Sequence, residues 1–180
     1  MVPVVRDETT LHEFLERYPP RPYQLRPGIG AYPPAQLAPV TEGDGLFLLN
    51  DIPTADVPLG RPRRSDSDRG EHCHLWVIDG RGRPCIAEKP LPRLGDDWLH
   101  HTNLTGGGQA SVGGEIWFDE PSRIYLSGSS GRYPPRDRAH LEAAEDLFRA
   151  VGFNVVTLGW DSETDRPMRV WRLPPTAMDE

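Results

Sequence analysis

Twenty prolines and 18 glycines are spread through 180 residues, and this punctuation restricts the chain to short regular elements joined by many turns and long ordered loops. The length fits one domain with a substantial core. Where the punctuation thins, periodic patterns emerge. Asp137 is placed to cap RAHLEAAEDLFRAV, in which Leu141, Ala144, Leu147, Phe148 and Val151 form one apolar stripe and Gly152 suits the C-terminal cap. Leu11, Phe14, Leu15 and Tyr18 recur at helical spacing in LHEFLERY, with Thr9 or Thr10 as its cap and Pro19-Pro20 as its stop.

Between the two helices the pattern turns to strands. LFLLN at 46–50 is one; HCHLWVID and PCIAE flank GRGR, and GEIWF and RIYLS flank DEPS, as two hairpins. FNVVTLGW and MRVWRL add two more strands near the end. The expected fold is therefore α+β: a single domain with a mainly antiparallel sheet built from two hairpins and one main helix, about 137–151, packed on it. Residues 1–45 supply the N-terminal helix and a proline-rich extended wrap, 46–180 the sheet-and-helix core, and the polar segment RPRRSDSDRG, 61–70, a mobile loop.

A formal net charge of −7 and a pI near 5.4 argue against nucleic acid, whose phosphate backbone selects basic surfaces. With no apolar run of membrane-spanning length and no signal-peptide pattern, a cytoplasmic protein without membrane contact is expected. Only Lys89 among the 20 basic residues is lysine, a bias associated with GC-rich bacterial coding. Cys73 and Cys85 flank the first hairpin turn and read as small buried thiols, consistent with a reducing compartment.

The chemistry concentrates in HHTNLTGGGQASVGGEIWF, 100–118, and SGSSGRYPP, 127–135. Histidine, carboxylate, hydroxyls and arginine together span proton transfer, nucleophilic attack and anion neutralisation. Pairing of GEIWF with RIYLS sets Gly113 to Glu115 across from Ser127 to Ser129, and the second segment leads to a helix N-terminus. In this reading His101 is the acid or base, Glu115 its partner or a second acid/base group, Ser130 a hydroxyl contact and Arg132 an anion clamp. Thr102, Asn103, Gly106, Gly107, Gly114, Ser129, Gly131 and Tyr133 would contact the ligand, the glycines by letting backbone come close. The same residues admit a purely structural reading, with Gly-Gly pairs as bulges and Arg132 paired to a carboxylate such as Glu115.

The frame His101-Thr102-Asn103, Gly106-Gly107, Gly114-Glu115 and Ser130-Gly131-Arg132-Tyr133 resembles one of certain bacterial effector or polymorphic-toxin-like domains, in which His-Ser-Ser, Gly-Gly, Ala-Gly-Glu and Ser-Gly-His-Tyr-x-Pro follow at similar spacing. Plant calmodulin-binding proteins of the IQ-motif family carry a similar stretch. The resemblance covers 101 to about 135 and implies a shared site, headed by His101 rather than His100, which is expected on a strand's other face. Thr102-Asn103 and Arg132 depart from that pattern, and no IQ segment accompanies it, so calmodulin binding is not implied.

Two further groups stand apart. His72 and His74 share one face of a strand and offer two nitrogens to a metal, with His100, His101 or Glu115 to complete the set. Trp160-Asp161 ends a strand as either a pocket wall or a core ring with a turn-initiating carboxylate. No Walker lysine loop, Rossmann fingerprint, nucleophile elbow or CxxC pair is present. The readings left are a small enzyme acting on a phosphorylated or nucleotide-like ligand, a non-catalytic immunity or regulatory module with a protein partner, and a metal-dependent protein using His72 and His74. No particular cofactor is indicated.

Overall fold

The computed structural model describes residues 5–50, 57–62 and 72–169. It is an α+β protein with a six-stranded, mostly antiparallel mixed sheet. The helices are α1 (Val5–Arg17), α2 (Pro34–Leu37), α3 (His101–Thr105) and α4 (Arg138–Ala150). The sheet contains β1 (Phe47–Leu48), β2 (His74–Ile78), β3 (Pro84–Ala87), β4 (Val112–Glu120), β5 (Arg123–Ser127) and β6 (Asn154–Thr157), in the order β1-β3-β2-β4-β5-β6. A separate antiparallel pair joins β7 (Trp160–Asp161) to β8 (Arg166–Pro167).

Period-two alternation divides the sheet residues between two cores. Trp76 and Ile78 of β2, Ile116 and Phe118 of β4, and Ile124 and Leu126 of β5 pack with Phe14 of α1 and with Leu141, Ala144, Leu147 and Phe148 of α4. Leu75 and Val77 join Leu99, Leu104 of α3 and Tyr133 in a second core. The sheet is thus a middle layer, with α1 and α4 on one face and α3 on the other. β5 and β6 run parallel, and α4 provides the crossover that such a pair requires.

Asp137 caps α4 as its sequence suggests: its Oδ1 accepts from the His140 backbone N at 2.8 Å. Asp137→Ala is expected to lower stability by about 1 kcal/mol, read from the denaturation midpoint at unchanged m-value. Two local expectations change. Helix α1 begins at Val5, so Thr9 and Thr10 lie within it instead of capping it. His101–Thr105 forms a helical turn rather than strand, because Asn103 closes the turn from inside: its Oδ1 accepts from the His100 N at 2.8 Å. Met168 and Arg169 are outside any strand, and the remainder of MRVWRL lies outside the described residues. The same holds for residues 63–70 of the polar segment. Both cysteines are buried, and burial pushes the Cys85 thiol well above its ordinary value.

Candidate functional site

A cavity of about 540 Å³ lies against the α3 face of the sheet. Register accounts for its floor. Leu75 of β2 sits opposite Glu115 of β4, which in turn sits opposite Ser127 of β5. Leu75 and Glu115 therefore share a face and both line the cavity. His100 and His101 enter from the start of α3, while Ser129, Gly131 and Arg132 enter from the segment after β5. His100 stands on the cavity beside His101, contrary to the opposite-face expectation, since the chain turns helical at this point.

His101 is buried, and its Nε2 donates to the Gly114 carbonyl at 2.8 Å. A carbonyl only accepts, so Nε2 carries a proton and the ring is fixed against β4. Glu115 is buried on the same strand, and its carbonyl accepts from Trp76 Nε1 at 3.1 Å.

Arg132 is the most unusual group. It is 4 % exposed, and its Nη2 donates to Gln36 Oε1 at 2.7 Å. Its guanidinium carbon lies 3.0 Å from the centre of the Tyr32 ring, a cation–π contact. Nη1 is buried without a hydrogen-bond partner, and among the described residues no carboxylate forms an ion pair with Arg132. Burial, then repulsion from Arg26, draws its pKa down to about 10. The charge persists at neutral pH, and an incoming anion would relieve both the desolvation and the repulsion.

The N-terminal segment assembles this environment. Tyr32 OH donates to the Gln24 carbonyl at 3.0 Å and accepts from the Arg26 N at 3.1 Å, and Gln24 N donates to the Arg132 carbonyl at 2.7 Å. Tyr32 and Gln36 then hold the guanidinium, while Arg26 lines the cavity. Sequence reading missed Arg26, Glu88, Trp98 and Arg169 as lining residues. Trp98, 58 % exposed, carried one legible signal, a large aromatic between two aspartates and His100. The arginines carried none, because arginine is common throughout this chain.

The remaining predicted residues are held by the protein itself. Asn103 Nδ2 donates to the Ala35 and Ala38 carbonyls at 2.9 and 2.8 Å, and Thr102 Oγ1 donates to the Gln36 carbonyl. Both tie α3 to α2. Gly106, at φ 61°, takes the left-handed position that ends α3, and Gly107 packs beside Leu37. Gly114 does permit a close approach, but the neighbour is the Ser127 carbonyl of β5. Tyr133 OH donates to the Gly108 carbonyl at 2.6 Å and meets Thr105 Oγ1 at 2.7 Å. Ser130 Oγ accepts from the backbone N of Arg132 and Tyr133, at 3.3 and 3.0 Å, and lines an adjoining hollow.

The other two groups separate. His72 is exposed in a turn at φ 59°, whereas His74 is buried between the rings of Phe47 and Phe118 and donates from Nδ1 to the His72 carbonyl at 2.7 Å. Among the described residues no three His, Cys, Asp or Glu side chains gather as a metal site. Asp161 initiates its turn, accepting from Glu163 N at 3.0 Å and Thr164 N at 3.3 Å.

Fold and cavity together define an α+β protein whose sheet carries an arginine-lined hollow beside a buried histidine and a buried glutamate. The chain matches no family model, and neither a curated protein nor a solved structure matches it. No helix among the described residues is long and apolar enough to cross a membrane.

Proposed function

We propose that this protein is an enzyme acting on a small phosphorylated ligand bound in the cavity of His101, Glu115 and Arg132. The observation that carries the reading is Arg132: a buried guanidinium with an unsatisfied N–H and, among the described residues, no ion-paired carboxylate, in a hollow shared with Arg26 and Arg169. A phosphate in the hollow supplies the opposing charge that the guanidinium lacks among the described residues. His101 and Glu115 are the groups that would carry protons, and Arg132 would neutralise charge on the phosphoryl oxygens. Ser129, on the cavity wall, takes the hydroxyl role that the sequence suggests for Ser130. His101 and Glu115 fall at matching positions of the effector-like frame at 101–135, and Arg132 stands where that frame carries histidine.

Thermal-shift titration with nucleoside and sugar phosphates tests the proposal. A ligand at 100 times its Kd adds about 2.7 kcal/mol, which at this chain length raises Tm by roughly 5–10 °C. Arg132→Met, which preserves most of the buried volume, is expected to abolish the shift, and Arg26→Ala to reduce it. A protein that no phosphorylated compound stabilises would sink the reading. His101→Ala is expected to retain the shift while losing turnover of the ligand so identified.

A further inference from the structure

Beyond Ser129 and Gly131 lies a second hollow, of about 310 Å³. Ser129, Gly131 and Arg169 line both hollows, so the two adjoin along the segment that follows β5. Each contains the same pair of chemical groups. The first presents the Trp98 ring with Arg26 and Arg132, and the second presents the Trp160 ring with Arg136 and Arg166. Trp160 is held in place, because its Nε1 donates to Asp165 Oδ1 at 3.1 Å. Asp165 lines the second hollow together with Arg136, Arg166 and Arg169.

A single phosphate would occupy one hollow and leave the other ring and its arginines unused. Resting on the reading that the first hollow takes a phosphorylated ligand, we infer that the two form one groove for a dinucleotide. One ring-bearing end stacks on Trp98, the other on Trp160, and the phosphate linker crosses Ser129 to Gly131 beside Arg169. Flat rings are the groups that amphipathic aromatics hold with little entropy loss, and a linker with two negative charges suits a crossing flanked by arginines on both sides. The crossing itself is open: a Cβ built at Gly131 meets nothing within 4 Å. Its two ends are held, since Ser127 Oγ accepts from Ser129 N at 3.1 Å and Ser130 Oγ accepts from the backbone N of Arg132 and Tyr133 just beyond Gly131.

Calorimetric titration of the whole chain with adenosine monophosphate, nicotinamide adenine dinucleotide and inorganic pyrophosphate, at constant salt, tests this. The dinucleotide is expected to bind at least tenfold more tightly than the mononucleotide. Arg166→Glu, at an exposed position, is expected to remove that advantage and leave mononucleotide affinity unchanged, with its melting temperature as the check on folding. Equal affinities in the wild type, with mononucleotide binding still dependent on Arg132, would overturn the dinucleotide inference alone. Absence of Arg132-dependent binding by all three compounds overturns it together with the reading on which it rests.

Discussion

Gly114→Ala is expected to cost about 3 kcal/mol or more, the upper part of the range for overpacking a core. The added Cβ would sit 1.9 Å from the Ser127 carbonyl oxygen and 2.8 Å from Trp76 Cζ2. Neither neighbour is free to yield. The Ser127 oxygen is backbone of β5, opposite the next residue of β4, and Trp76 is wholly buried in the core shared with α4. Relief requires β4 and β5 to separate at Glu115 and Ser127, where the cavity floor is built. Urea denaturation should therefore show a lower midpoint, with a fall in Tm of roughly 10 °C. Gly131→Ala is the matched control, since its Cβ meets no atom within 4 Å and its φ is ordinary. It is expected to change stability by no more than about 0.5 kcal/mol. Equal stability of the two variants would show that the β4–β5 spacing is not constrained as described.

Acid is expected to unfold the protein through two buried histidines. His74 and His140 are both lowered from 6.5 to about 4. Burial is the leading cause for each, reinforced at His140 by Arg136 and Arg21, and opposed at His74 by the bond to the His72 carbonyl. At His140, Nδ1 accepts from the Arg136 N at 3.1 Å, so the proton is on Nε2, which donates to Ser111 Oγ at 3.0 Å. The ring stacks on Tyr18 at 4.2 Å. Both rings are neutral in the fold, while the unfolded chain takes up protons below 6.5. Stability is thus fully present above pH 6.5 and is lost as pH falls through about 4. Each site contributes on the order of 3 kcal/mol over that window. Glu145, raised by burial, acts in the opposite sense and offsets a part. Urea unfolding measured from pH 7.5 to 4 should show this decline, and His140→Gln should shallow it. A pH-independent midpoint would remove both histidines from the account.

Much of the local structure was legible in the residues. The apolar stripe and Asp137 cap of α4, the β2 and β3 segments around Gly80 to Gly82, and those of β4 and β5 depend on near neighbours, so spacing and turn chemistry suffice to find them. The parallel pairing of β6 was not legible, because it depends on where α4 returns the chain. The helical turn at His101 was missed for a related reason. Five residues are too few to show a period, and Asn103 closes that turn while bound to a segment more than sixty residues earlier.

The candidate site divides along the same line. His101, Glu115, Ser129, Gly131 and Arg132 stood out by sequence alone because proton carriers, a hydroxyl and a cation fall within two short segments, and pairing of GEIWF with RIYLS set Glu115 across from the serines. Convergence of those side chains on one hollow was decided by tertiary structure, as were the Tyr32 ring and Gln36 amide around Arg132 and the approach of Arg26. The physical reason is that a residue's type and spacing set which groups are available, whereas an unsatisfied guanidinium N–H is a property of everything packed around it, and that packing comes from segments distant in the chain.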